Sequence, residues 1–201
     1  MVHYPKNTKC YSPKGVRDLF DQAIKNENDN IANVLKKREY QRLRELWYAS
    51  FFALALKKCS KKEYYLSEPN SDSPDVLLLD IVNNQGFGLE IMELYFHNQA
   101  AFDGDYKKLA QTIWDKKWLK DLRDSHLLVV SRIAEKNFNV TKLIEDIQKF
   151  DRKSIERLWF STYRGFDLRW TFFDIYPPIQ FSDKRNISFS VKDKQDMKFW
   201  Y

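Results

Sequence analysis

The sequence predicts an α/β fold: a three-layer core with a mixed sheet flanked by helices, an N-terminal helical extension and a small C-terminal β extension. Three observations predict it. A long stretch with helical periodicity, Ile31 to Lys58, precedes two strand-like runs, "PDVLLLDIV" and "FGLEIMELYF", joined by the turn signal "NNQG". Two amphipathic stretches then each lead into a short apolar run, the pattern of helices crossing over a sheet. A chain of 201 residues holds one domain with a sizeable core.

Taken in order, Ser12 and Pro13 stand where an N-cap and a first-turn proline belong, and Val16, Leu19, Phe20, Ala23 and Ile24 follow at helical spacing. The polar break "NENDN" closes that helix. The spacing then predicts one long helix from Ile31 to Lys58, with Leu43, Leu46, Trp47, Phe51 and Leu54 on one stripe, lying against a sheet. Lys57 and Lys58 complement its negative end. "EYYL" reads as a first strand, and the "NNQG" hairpin supplies the second and third. From Asp103 a helix follows with Tyr106, Leu109, Ala110 and Ile113 on its buried stripe, then the apolar strand "HLLVVS", with parallel pairing expected. Val140, Leu143, Ile144 and Ile147 mark another helix, "IERLWFS" and "LRWTFFDIY" two more strands. Beyond Pro177 and Pro178, alternation at Ile187, Phe189 and Val191 predicts a peripheral strand and a loosely held tail. The domain reading is a helical extension over 1–30, the core over 31–176 and a C-terminal extension over 177–201.

Composition narrows the function classes. Forty-three per cent hydrophobic and sixteen per cent aromatic residues exclude a disordered chain. A net charge of +6 is compatible with a polyanionic partner and common among ordinary basic proteins. Cys10 and Cys59 are too few for a zinc site or a disulfide framework, so both read as structural residues in a reducing cytoplasm. "MVHYPKNTKCYSPKG" lacks the pattern of an export signal. The longest apolar stretch, Leu46 to Leu56, falls short of the roughly 20 residues that span a bilayer, so no membrane is expected. There is no phosphate-cradling glycine loop, dinucleotide fingerprint, "GxSxG" elbow or "HExxH" helix, which disfavours kinases, serine hydrolases and zinc proteases.

The chemistry-bearing residues cluster in the hairpin. Asp75 opens the second strand behind Pro74, and Glu90 shares one face of the third strand with Met92. Folding the hairpin turns the face of Glu90 toward Asp75, and two carboxylates with the Ile91 carbonyl form an oxygen-rich half-shell suited to Mg²⁺ or Mn²⁺. An acid amid "FGLEIMEL" needs a partner in any case, since an unpaired buried charge is costly.

Placed after a long helix and before a helix and strand, "PD" at Pro74 and Asp75 and "EIM" at Glu90, Ile91 and Met92 resemble the PD-(D/E)XK nuclease superfamily, whose fold is restriction-endonuclease-like. The resemblance covers about Arg38 to Tyr176. It implies that Asp75 and Glu90 hold the metal and that a lysine positions the attacking water. Met92 stands where that lysine belongs, and a thioether has neither charge nor donor. Some viral cap-snatching endonucleases carry the lysine on the helix after the second acidic strand, which here reads "DYKKLAQTIWDKKWLKDL". Lys107, one turn from Gln111 and flanking the buried stripe, is the first choice, and Lys117, four residues after Ile113, the second. Those relatives also use an upstream histidine as a ligand, and only His3 precedes Asp75. Glu45 is the candidate for the acid that many members place on the first core helix; its alternative is a helix charge paired with Gln41 or Arg42.

His97 reads as a structural residue at a strand end, and "WDKKWLKDLR" and "RLWFSTYRGFDLRW" as alternating core and solvent faces rather than base-stacking grooves. Two functions follow as expectations. The first is a metal-dependent nuclease acting on DNA or RNA, with Asp75, Glu90, Lys107 and Glu45 in the catalytic set and Gln111 and Lys117 touching nucleic acid. The second is a catalytically silent member of the fold that binds nucleic acid or a protein. A homodimer is compatible with the chain, although no seam demands it.

Overall fold

A computed structural model describes residues 9–69, 73–94, 102–118, 125–131, 133, 138–150, 156–164, 169–176 and 188–192. The chain takes the expected α/β class, with helices first, a mixed sheet with helices between its strands, and strands last. It divides into two units, one from the described residues up to Leu89 and the other from Glu90 to Lys192.

The first unit begins with α1 (Pro13–Asn26), where the Gly15 N–H donates to Ser12 Oγ at 3.0 Å and Pro13 occupies the first turn. Val16, Phe20 and Ala23 are buried, while Leu19, expected on that stripe, sits at its rim and is exposed. The continuous helix expected from Ile31 to Lys58 is broken into α2 (Ile31–Lys36), a 3-10 turn (Arg38–Tyr40) and α3 (Gln41–Ser60). Lys37 is extended at the break, with φ −68° and ψ 136°. Side-chain bonds hold the corner: Arg44 Nη1 donates to Lys37 O at 2.7 Å, and Glu27 accepts from Lys37 Nζ at 2.6 Å and from Tyr40 Oη at 3.0 Å. Apolar spacing could not reveal this, because no proline or glycine marks it and the bonds come from residues up to 13 positions away.

From Arg44 to Ala55 every residue of α3 is buried, and Trp47 stacks on Phe20 with ring centres 4.2 Å apart. The helix packs against β1 (Tyr65–Ser67) and β2 (Val76–Asp80), as expected of a helix apolar on most sides. β1 and β2 are antiparallel, and β2 pairs antiparallel with β3 (Gln85–Leu94) from Val76↔Leu89 to Asp80↔Gln85. The turn is Ile81–Asn84, not "NNQG": Asn84 takes the left-handed backbone at φ 50°, and Gln85 and Gly86 already belong to the strand. Asp80 anchors it by accepting from Asn83 N at 3.1 Å and Asn83 Nδ2 at 2.6 Å.

In the second unit β3 continues through Leu94, followed by α4 (Tyr106–Ile113) and a π turn (Trp114–Trp118). β4 (Ser125–Ser131), α5 (Val140–Ile147) and β5 (Arg157–Arg164) form a crossover with β4 and β5 parallel. β6 (Arg169–Tyr176) and β7 (Ser188–Lys192) complete the sheet antiparallel, so the mixed character and the C-terminal strand are both present. The core packs Met92 and Leu94 with the stripe Tyr106, Leu109, Ala110 and Ile113, the α5 stripe, and Leu127, Val129, Leu158, Phe160 and Ile175. Tyr106 Oη ties the helices together by accepting from Asn139 N, at the start of α5, at 2.6 Å. The expected loose tail beyond Lys192 lies outside the described residues.

Candidate functional site

Period-2 alternation puts Glu90, Met92 and Leu94 on one face of β3. Met92 and Leu94 point into the core beneath α4, and Glu90 on the same face is 3% exposed. A carboxylate so placed requires a charged partner, and Lys117 supplies it: Nζ lies 2.6 Å from Glu90 Oε2, across 27 residues of chain.

Helix geometry explains why this lysine reaches the acid. The stripe Tyr106, Leu109, Ala110 and Ile113 leads through the π turn to Lys117, whereas at about 100° per residue within α4 Lys107 is rotated from the stripe by roughly a third of a turn. Lys107 accordingly lies on the exposed side of α4, and so does Gln111, whose Nε2 donates to Asp115 Oδ1 at 2.8 Å. The sequence signal that locates Lys117 is its spacing of four from Ile113 on the inward stripe.

The remaining candidates fall as follows. Asp75, in the first unit, occupies a half-buried bend immediately before β2. Ile91 follows Glu90, with its side chain buried. Glu45 is 5% exposed on α3 and accepts from Gln41 Nε2 at 2.9 Å and Arg42 Nη1 at 3.5 Å, the two partners expected of a helix charge. His3 and His97 lie outside the described residues. Cys10 and Cys59 are exposed thiols outside any disulfide.

Among the described residues no three His, Cys, Asp or Glu side chains converge on a point where an ion could sit. Mg²⁺ is commonly held by one or two carboxylates and completes its shell with waters and substrate phosphates, so Glu90 is the one sequence-predicted acid of this unit whose chemistry suits such an ion. A carboxylate has about four lone-pair sites, so a lysine on Oε2 is compatible with a cation on the same group. Met92 is no ligand for a hard ion, since its sulfur is soft and packed in the core.

A second polar cluster in this unit had no sequence signal beyond His126 at the head of "HLLVVS". Arg157 Nη1 donates to Asp174 Oδ2 at 3.1 Å, and Trp159 Nε1 donates to His126 Nδ1 at 3.4 Å. Burial, with Arg157 adding to it, pushes the His126 imidazole down to about 3, so its 3.8 Å approach to Glu156 is a contact of a neutral ring rather than an ion pair. Burial pushes the Asp174 carboxyl up to about 6, with Arg157 working against it.

The described residues of the two aromatic and basic stretches resolve toward packing. Trp114 stacks on Phe150 at 4.9 Å, and Leu158, Trp159, Phe160 and Trp170 are buried. Among the described residues no helix is long and apolar enough to cross a membrane. No family model, curated protein or solved structure matches the chain.

Proposed function

We propose that the protein is a metal-dependent nuclease of the PD-(D/E)XK type, hydrolysing phosphodiester bonds in DNA or RNA, in which Lys117 takes the role of the motif lysine that Met92 does not supply. The supporting observation is the Lys117–Glu90 pair, a lysine held 2.6 Å from the second motif acid by the turn that follows α4. Asp75, Glu90 and the Ile91 carbonyl are the proposed ligands; Asp75 enters this set from the sequence resemblance. The bound Mg²⁺ or Mn²⁺ would supply a water acidified toward neutrality. Glu90 orients the Lys117 ammonium, and Lys117, with three donors in all, holds the attacking water or the charge developing on the phosphate. The proposal includes a cytoplasmic setting, where exposed thiols stay reduced.

A second reading rests on Met92. Its place in the apolar core supports a silent member of the fold, in which Lys117 only neutralises Glu90. Mn²⁺ titration by calorimetry, with digestion of labelled single- and double-stranded DNA and RNA, separates the two. Metal binding and cleavage that are both lost in Asp75→Asn and Glu90→Gln are the results expected of the nuclease. Intact protein that neither binds Mn²⁺ nor cuts any of the four substrates overturns it in favour of the silent scaffold.

A further inference from the structure

The β2–β3 turn is apolar where turns are ordinarily polar. Val82 is 90% exposed and Ile81 is 51% exposed, the two most exposed large hydrophobic side chains among the described residues. The turn that presents them is pinned at its base by the Asp80–Asn83 bonds. Burial opposes charge on Asp80, but those bonds and the nearby Lys62 outweigh it and hold the carboxyl below its ordinary range.

The flank of this tip is cationic. The β1–β2 register, Tyr65↔Leu79, brings the chain just before β1 alongside the end of β2. Lys61, the C-cap of α3, and Lys62, which also acts on Asp80, are exposed there. Glu63 is already paired with Lys57, so its charge does not offset them. Asn83, Asn84 and Gln85 continue the exposed tip.

Apolar residues flanked on one side by two lysines fit two polyanionic surfaces, an anionic bilayer and a nucleic acid. The exposed side-chain amides of Asn84 and Gln85 favour the second: in hydrocarbon they lose hydrogen bonds, whereas base edges and sugars return them, and the Asn83 amide stays on Asp80. Two aliphatic side chains also match the size of a wedge that opens a single base step. We propose that Ile81 and Val82 insert as an apolar wedge into the stack of a nucleic-acid duplex while Lys61 and Lys62 contact its phosphates. This extends the nucleic-acid part of the function above without depending on hydrolysis.

The test uses the full chain in EDTA, so that binding is read apart from cleavage. Anisotropy with labelled DNA and RNA duplexes, and fluorescence of 2-aminopurine placed at successive steps, are compared for wild type, Ile81→Ser/Val82→Ser and Lys61→Gln/Lys62→Gln. Both variants alter exposed positions, and thermal melts confirm their folding. The tip variant should bind roughly 10-fold more weakly with an unchanged salt slope and lose the 2-aminopurine increase. The lysine variant should lose about 1.8 from the slope of log K against log salt. Wild-type affinity in the tip variant overturns the wedge, as does binding to phosphatidylserine vesicles without binding to duplex. Duplex binding with these signatures but no cleavage in Mn²⁺ leaves the wedge standing and removes the nuclease.

Discussion

Lys117 Nζ sits 2.6 Å from Glu90 Oε2, joining the turn after α4 to a strand residue that is almost wholly buried. The pair brings an ammonium to the buried acid of β3, two residues before Met92.

Removing the lysine leaves a buried carboxylate without this partner. Lys117 retains 20% side-chain exposure, so the full penalty of a buried broken pair is reduced, and Lys117→Met should destabilise by about 2 kcal/mol in urea melts. Glu90→Leu/Lys117→Met should recover at least about 1 kcal/mol of that loss, because no charge is then stranded. A double variant no more stable than Lys117→Met would show that the two groups are not coupled. Under the nuclease proposal, cleavage should fall about 100-fold in Lys117→Met. An equal loss confined to Lys107→Met would move the role to that lysine.

A lysine at position 92 should not be tolerated. Met92 is packed with Leu94, Tyr106, Leu109 and Ile113, so Met92→Lys places an ammonium in an apolar core. The expected cost is about 3 kcal/mol or more, seen as a lower urea midpoint, with no gain in cleavage. A stable and more active Met92→Lys protein would contradict the packing described here.

The His126–Asp174 cluster makes opposing contributions to the pH dependence of stability. His126 is lowered from 6.5 to about 3, so below 6.5 the unfolded chain binds a proton that the folded protein refuses, and stability falls as pH drops toward 3. Asp174 is raised from 3.8 to about 6, so its contribution is full below 3.8 and is lost as pH rises through 6. Relative to wild type, His126→Asn should lose the acid-side decline, and Asp174→Asn should lose the decline on the rising side. Urea midpoints at half-unit steps from pH 3 to pH 7 would measure both. Difference profiles without pH dependence would refute the assignment.

Arg44 holds the corner between α2 and α3 through Lys37 O at 2.7 Å and Val34 O at 3.3 Å. Arg44→Leu keeps a buried side chain but strips both carbonyls of that donor, and charge-assisted bonds of this kind contribute about 2 kcal/mol. The urea midpoint should drop with an unchanged slope, and amide exchange should accelerate at Lys36 and Lys37 before the rest of α3. Uniform acceleration along the chain would show that the corner is not a local fastening.

The sequence by itself determined the α/β class, the order of helices and strands, and the faces they bury. These follow from periodicity, caps and turn residues, which act between positions a few places apart: Ser12 capping α1, the Tyr106–Ile113 stripe, the apolar run that became β4. Tertiary structure decided what depends on distant groups. The break at Lys37 is made by Glu27 and Arg44, and the hairpin turned at Ile81–Asn84 because the register kept Gly86 opposite Leu79. Which lysine meets Glu90 was decided in space, since it depends on how α4 is rotated over the core, and that rotation is fixed by packing rather than by the lysines.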